Sequence, residues 1–331
     1  MEHTITEDEA ALYDRQIRLW GLEAQQRMRN ASILVAGMRA LSNEVCKNIV
    51  LAGVGSITIL EHENITGQDL GAQFFLRETD LGRNRAEAAA ENARLLNPRV
   101  KVFVDQEDIT TKPDSFFTTF DIVCLTGCGP EQMIRIDNAC RGTKTGVYAA
   151  GAHGFFGYIF CDLTQHDYRE ESHGSSVTKN GQEPETMIVE KIQSYSSLSD
   201  TLQATWGFPK PRALRRKVSP LFFAIQVLWE FQQKEGRLPQ SSSQEDMDTV
   251  FSQRDEKLKA AEVDPTFVDN HLLQTLVASA AAEIAPVCAI VGGFLAQDIL
   301  KTLSGKDAPL YNYFLYNGLE GTGLVHNVQK S

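Results

Sequence analysis

Residues 33–42 read Ile-Leu-Val-Ala-Gly-Met-Arg-Ala-Leu-Ser. A short apolar run ends in Gly37 and an amphipathic helical pattern follows at once. A dinucleotide-binding fold carries its Gly-x-Gly-x-x-Gly loop in this place and cradles phosphate there on backbone N–H groups. Of the three glycines only Gly37 is present: Arg39 stands where the second would let backbone approach a phosphate, and Ser42 replaces the third. A second apolar strand pattern, Ser56–Leu60, ends in Glu61, 24 residues beyond Gly37. An acid there suits a ribose hydroxyl pair; taken alone it reads equally well as a solvated acid at a strand end. These residues outline the frame of a nucleotide site whose phosphate-contact surface has been rewritten.

The elements that must position this loop follow from periodicity. Leu41, Val45 and Ile49 recur at helical spacing and predict one buried stripe. Strand and helix patterns alternate from residue 32 to about 150. Helices are expected over 82–96, closed by Asn97-Pro98, and over 131–141, with strands over 100–104, 121–126, 145–150 and 157–163. Such alternation predicts an α/β fold, a Rossmann-like doubly wound and mostly parallel sheet covered on both faces. Upstream, residues 7–29 read as a helix with Leu12, Ile17, Leu19 and Leu22 on its apolar side. Downstream, 170–185 reads as a polar loop, 210–217 as a basic stretch, and 236–245 as a Ser/Gln/Pro loop. An amphipathic helix is expected over 219–235, further helices over 244–262, 265–282 and 287–303, and a last strand over 311–316. The expected organisation is a nucleotide-fold domain over 1–165, a loop and connecting segment over 166–204, a small helical insertion over 205–282, and a return to the main sheet over 283–331.

With 331 residues and 42% hydrophobic content, one large domain or two modest ones have ample core. A net charge of −11 argues against nonspecific nucleic-acid binding. No apolar run of membrane-spanning length and no signal pattern stands out, so a cytosolic or nuclear home is expected. The cysteines, Cys46, Cys124, Cys128, Cys140, Cys161 and Cys288, form no Cys-x-x-Cys pair. They read as buried, inert thiols rather than zinc ligands.

Tyr13-Asp14-Arg15-Gln16-Ile17-Arg18-Leu19-Trp20-Gly21 resembles the N-terminal helix of ubiquitin-like-modifier activating enzymes. Gly82-Arg83-Asn84-Arg85-Ala86-Glu87 is similar to their Gly-x-x-Lys-Ala-Glu helix start, and Gln73-Phe74 to the end of their Asn-Arg-Gln-Phe segment. Residues 285–293, followed by Ala296-Gln297-Asp298, resemble their late crossover helix. Length, the absence of a ubiquitin-fold tail, and the segments Phe155–Tyr158 and Tyr313–Gly318 resemble the smaller half of the heterodimeric members that act on SUMO. The resemblance implies a ThiF/MoeB-type adenylation fold, so that residues 1–165 would be a pseudo-adenylation domain. The holoenzyme would use ATP and Mg²⁺ in a catalytic partner subunit, adenylate the SUMO C-terminus, and transfer it to the partner's cysteine, in the nucleus and also the cytoplasm.

The departures from the family carry the physical argument. Active halves have a full glycine loop, an Arg before Gln-Phe, a Lys in the Gly-x-x-Lys segment and a magnesium-binding Asp after the fourth strand; this chain has Arg39, Ala72, Arg85 and Gly127-Cys128 in those regions. Adenylation joins two anions and needs cations and a metal to stabilise their charge. No intact cofactor pocket is therefore expected here, only a vestige at Gly37, Arg39, Ser42, Glu61 and Arg85. No metal ligands are expected, and no thioester cysteine, since residues 205–282 contain no cysteine. In the family the arginine matching Arg15 reaches across the dimer to the partner's nucleotide. That implies a catalytic role in trans for Arg15, against the plainer reading of a helix arginine paired with Asp14. Arg18 and Trp20 read as interface bracing and packing, and the N-terminal and late helices as dimer contacts. Other readings stay open: the regulatory subunit of another modifier-activating enzyme, a homodimeric sulfur-carrier adenylating enzyme, a nicotinamide-dependent oxidoreductase, or a scaffold without any link to ATP.

Overall fold

The computed structural model describes residues 5–173 and 186–330. Its sheet has eight strands: β1 (Ser32–Ala36), β2 (Ser56–Leu60), β3 (Lys101–Asp105), β4 (Ile122–Thr126), β5 (Gly146–His153), β6 (Phe156–Asp162), and, late in the chain, β9 (Tyr313–Asn317) and β10 (Thr322–His326). Their order is β10-β9-β6-β5-β4-β1-β2-β3. The five strands from β5 to β3 run parallel, and β6, β9 and β10 add antiparallel strands to one side. The doubly wound expectation holds; β10 was not foreseen, being a five-residue edge strand that is exposed at all but its last position.

Alternate residues of the buried strands point to two helical layers, as the strand pleat requires. The N-terminal helices are α1 (Glu7–Leu12), α2 (Asp14–Trp20) and α3 (Leu22–Asn30), followed by α4 (Ala40–Leu51), α5 (Arg85–Leu96), α6 (Asp114–Phe117) and α7 (Pro130–Cys140). After the sixth strand come α8 (Leu198–Leu202), α9 (Pro211–Leu214), α10 (Pro220–Glu235), α11 (Gln244–Ala260), α12 (Asn270–Ser279) and α13 (Ala285–Ser304). Ile33, Val35, Ile57 and Cys124 share one core with Leu41, Val45 and Ile49 of α4 and Val291 and Leu295 of α13. Leu34, Val123 and Val147 share the other with Met133 of α7 and Phe222, Phe223 and Ile225 of α10. Helix α13 is long and apolar enough to cross a membrane, yet half of it is buried against the sheet and α4. Gly292 permits that crossing: a Cβ there would lie 2.7 Å from the Glu44 Cβ.

Three expectations change. The helix expected over 7–29 is broken at Tyr13 and Gly21. Each break resets the helical phase, so Leu12, Leu19 and Leu22 are exposed while Tyr13, Ala24 and Met28 are buried. Tyr13 fixes the break by accepting a hydrogen bond from Asn97 Nδ2 at 2.8 Å on its hydroxyl. The segment 166–204, expected as connecting loop, carries an antiparallel ribbon of β7 (Gln165–His173) and β8 (Thr186–Ser194) and then α8; the loop expectation at 174–185 lies outside the described residues. The helices expected as an insertion over 205–282 pack directly on the sheet, and α10 is buried nearly all round rather than amphipathic.

Candidate functional site at the switch point of the sheet

Strand order reverses between β1 and β4, and open α/β sheets bind ligands in the crevice beyond the carboxyl ends of the strands at such a point. Here a cavity of about 330 Å³ is lined by Arg39, Thr126, Cys128, His153, Tyr158 and Glu283, among others. Gly37 opens it, with φ +88° and the Thr126 carbonyl oxygen 1.9 Å from where a Cβ would sit. The Thr126 hydroxyl donates to the carbonyl oxygens of Ala36 at 3.0 Å and Gly37 at 3.1 Å. This surviving glycine is explained by the close approach of two chain segments, with no ligand needed.

The loop amides that would hold phosphate are already engaged. Met38 N–H donates to Glu61 Oε2 at 3.1 Å, Arg39 N–H to Ser42 Oγ at 2.9 Å, and Ala40 N–H to Glu283 Oε2 at 2.7 Å. Glu283 thus places a carboxylate at the N-terminus of α4, where unsatisfied N–H groups and the helix dipole favour an anion. Burial raises the Glu283 pKa, while the Ala40 N–H and the charge of Arg39 draw it back. The ribose expectation for Glu61 is corrected: besides Met38, its Oε1 accepts the Glu63 N–H at 2.9 Å, so its oxygens hold the loop's own backbone.

The cations of the pocket are likewise internally matched. Arg85 is buried, with Asp69 at 3.1 Å, Glu61 at 3.5 Å and a close contact to Glu63. Burial opposes its charge, but the hydrogen bond to Glu63 and the nearby carboxylates outweigh it and raise its pKa. Glu63 is held below the ordinary carboxylate range, chiefly by its hydrogen bond to Arg85, with burial opposing. The Arg39 side chain turns to Glu63 at 3.2 Å. Ala72 lines a neighbouring cavity of about 380 Å³ with Gln68, Asp69 and Glu283. Past β4, the Cys128 thiol lies 3.9 Å from the Thr126 carbonyl oxygen it donates to, and burial pushes its pKa up to about 12. Gly37, Arg39, Ser42, Glu61 and Arg85 therefore lie at one site, where hydrogen bonds and ion pairs within the chain engage the side chains of the last four.

Arg15 lies elsewhere. Gln16, next to it on α2, donates to the carbonyl of Leu51, the last residue of α4, at 3.5 Å. A helix of this length spans about 18 Å, so α2 and the pocket sit at opposite ends of α4. Arg15 is exposed, and no ion pair or hydrogen bond engages its side chain among the described residues. The Asp14 pairing open to it is taken by Arg18, whose Nε is 3.0 Å from Asp14 Oδ2. Trp20 is half-buried against the core and donates from Nε1 to Gln25 Oε1 at 3.0 Å.

Sequence reasoning missed Glu283 and Glu63. Glu283 lies more than two hundred residues from the loop it caps, and its local signal, an acid just before a helix with proline in its first turn, points to its own helix. Glu63 had an indirect sign: Arg39 and Arg85 beside a buried loop require acids to match them.

The chain matches the ThiF family over residues 13–331. It is 41% identical to SUMO-activating enzyme subunit 1 of Bos taurus, over 97% of this chain and 95% of that protein. It is 40% identical to the proteins of the same name from Homo sapiens, over 97% and 95%, and from Xenopus tropicalis, over 98% and 97%. With the adenylation-type sheet, the switch-point crevice and near full-length likeness in agreement, the chain belongs to the ThiF family.

Proposed function

We propose that this chain is the noncatalytic, obligatory subunit of a heterodimeric SUMO-activating enzyme. In this reading its catalytic partner holds ATP and Mg²⁺, adenylates the C-terminus of SUMO, and captures it on a cysteine of its own. The observation that carries the reading is the occupied phosphate loop: carboxylates of this chain sit on the Met38 and Ala40 amides that a triphosphate would need. An incoming nucleotide would have to displace them and then face Glu61, Glu63 and Glu283, against the charge preference of a phosphate site. The likeness to SUMO-activating enzyme subunit 1 supports the choice of modifier.

The chain's own contribution is Arg15, a guanidinium with no partner among the described residues that is free to meet phosphate oxygens of the partner's nucleotide with its planar fork of donors. Exposed apolar side chains on the two helices anticipated as contacts, Leu19 on α2 and Ile290 and Phe294 on α13, support a heterodimer built through them. The same reading places the protein in the nucleus and partly in the cytoplasm, which imaging of the tagged chain tests. The direct test is ATP–pyrophosphate exchange with SUMO. It should require the catalytic partner, run with a one-to-one complex, and be absent from the isolated chain; exchange by the isolated chain refutes the reading.

A further inference from the structure

Lys210, Arg212, Arg215, Arg216 and Lys217 place five cations within eight residues of a chain whose net charge is −11, so the rest of the chain is more acidic still. All five are exposed, and none enters an ion pair among the described residues. The segment is nevertheless fixed. Leu214 and Val218 are fully buried in the core beneath it. The Arg215 guanidinium lies over the Phe267 ring, 5.4 Å from its centroid, and the Lys217 and Val218 N–H groups donate to the Leu214 carbonyl oxygen at 2.7 and 2.9 Å. The cations cannot be drawn out as an extended strand without exposing Leu214 and Val218.

Beside them is a cavity of about 410 Å³, with Arg215 on its rim and Leu221, Leu272, Leu319 and Leu324 among its apolar walls. Leu319 and Leu324 are exposed, and Asp269 and Glu320 are the acids of the lining. Neighbouring like charges without counter-ions repel, and a polyanionic partner relieves that repulsion. An acidic partner is repelled by the net negative charge of the chain and attracted to this cluster, which directs where it lands. The same acidic surround disfavours long polyanions and anionic membranes, which would contact much more than this patch.

We propose that this surface docks an acidic protein segment bearing one bulky apolar side chain, with its carboxylates on Lys210–Lys217 and its apolar group in the cavity between Arg215 and Leu324. The test uses the complex reconstituted with the catalytic partner. The probe is a fluorescein-labelled peptide of Glu and Asp residues around one central Leu. The expected result is saturable binding that weakens as salt rises, falls about tenfold or more with Arg212→Glu combined with Arg216→Glu, and falls about tenfold when the peptide's Leu becomes Ala. Arg212 and Arg216 are exposed, so adenylation by the complex should be unchanged, which separates this surface from the activating role. No detectable binding overturns the proposal. So does equal binding by the charge-reversed complex or by a Gln/Asn version of the peptide, and so does tighter binding of single-stranded RNA or phosphatidylserine vesicles.

Discussion

Glu283→Ala isolates the contact that closes the pocket. The substitution removes the acceptor of the Ala40 N–H, 2.7 Å away at the first turn of α4. Losing a helix N-cap acceptor costs about 1 kcal/mol. Leaving a partly buried N–H without a partner costs about 1–3 kcal/mol. Against this, the variant no longer buries a carboxylate whose raised pKa shows that burial penalises it. The net expectation is destabilisation of about 1–2 kcal/mol, a fall in melting temperature of roughly 1–3 °C for a chain of this size. Urea unfolding should show a lower midpoint with an unchanged slope. Glu283→Gln keeps a carbonyl oxygen in reach of the amide and should recover at least half of the loss. The vacated amide should also accept an external anion, so that inorganic phosphate raises the melting temperature of Glu283→Ala more than that of the parent chain. Equal stability of parent and Ala variant, together with equal responses to phosphate, would refute the argument that this carboxylate occupies an anion position.

Gly37→Ala should fail to fold, because its Cβ meets the Thr126 carbonyl oxygen at 1.9 Å and its backbone lies at φ +88°; soluble expression and circular dichroism check this. Asp298 accepts hydrogen bonds from Tyr148 at 2.8 Å and from the Leu310 N–H at 2.7 Å, yet burial lifts its pKa to about 6. The folded state then holds its proton to higher pH than the unfolded chain does. Stability from this group is full below the ordinary carboxylate pKa and is lost as pH rises to about 6, by up to roughly 3 kcal/mol. Asp298→Asn should flatten that slope in urea titrations run across the interval. Phe294→Asp, on the exposed side of α13, should leave the chain folded and weaken its complex with the catalytic partner by about tenfold or more, as read by sedimentation.

The central part of the fold was legible because its signals are local. The buried stripe of α4, the strands of the parallel sheet and the long helix α13 each show a clean period within one window. Errors arose where one residue resets the phase, as at Tyr13 and Gly21, or where a helix is buried all round and its period carries no direction, as in α10. The ribbon of β7 and β8 is polar enough to read as loop. In the site, the identities of Gly37, Arg39, Ser42, Glu61 and Arg85 were legible, but their mutual satisfaction was not. That depends on Glu283, which the topology alone brings to the start of α4.

The proposed function requires that this chain's own pocket be closed and that Arg15 act in the partner's. The direct measurement is ATP–pyrophosphate exchange by the reconstituted heterodimer carrying Arg15→Ala or Arg39→Ala. A charge-assisted contact to phosphate contributes about 1.5–3 kcal/mol, so Arg15→Ala should slow exchange about tenfold to hundredfold without splitting the complex, and Arg15→Lys should restore it in part. Arg39 is half-exposed and pairs with Glu63 at 3.2 Å, so Arg39→Ala should leave exchange within about twofold, since such surface pairs contribute little. Exchange crippled by Arg39→Ala and untouched by Arg15→Ala would contradict the account and make this chain's own pocket the active one.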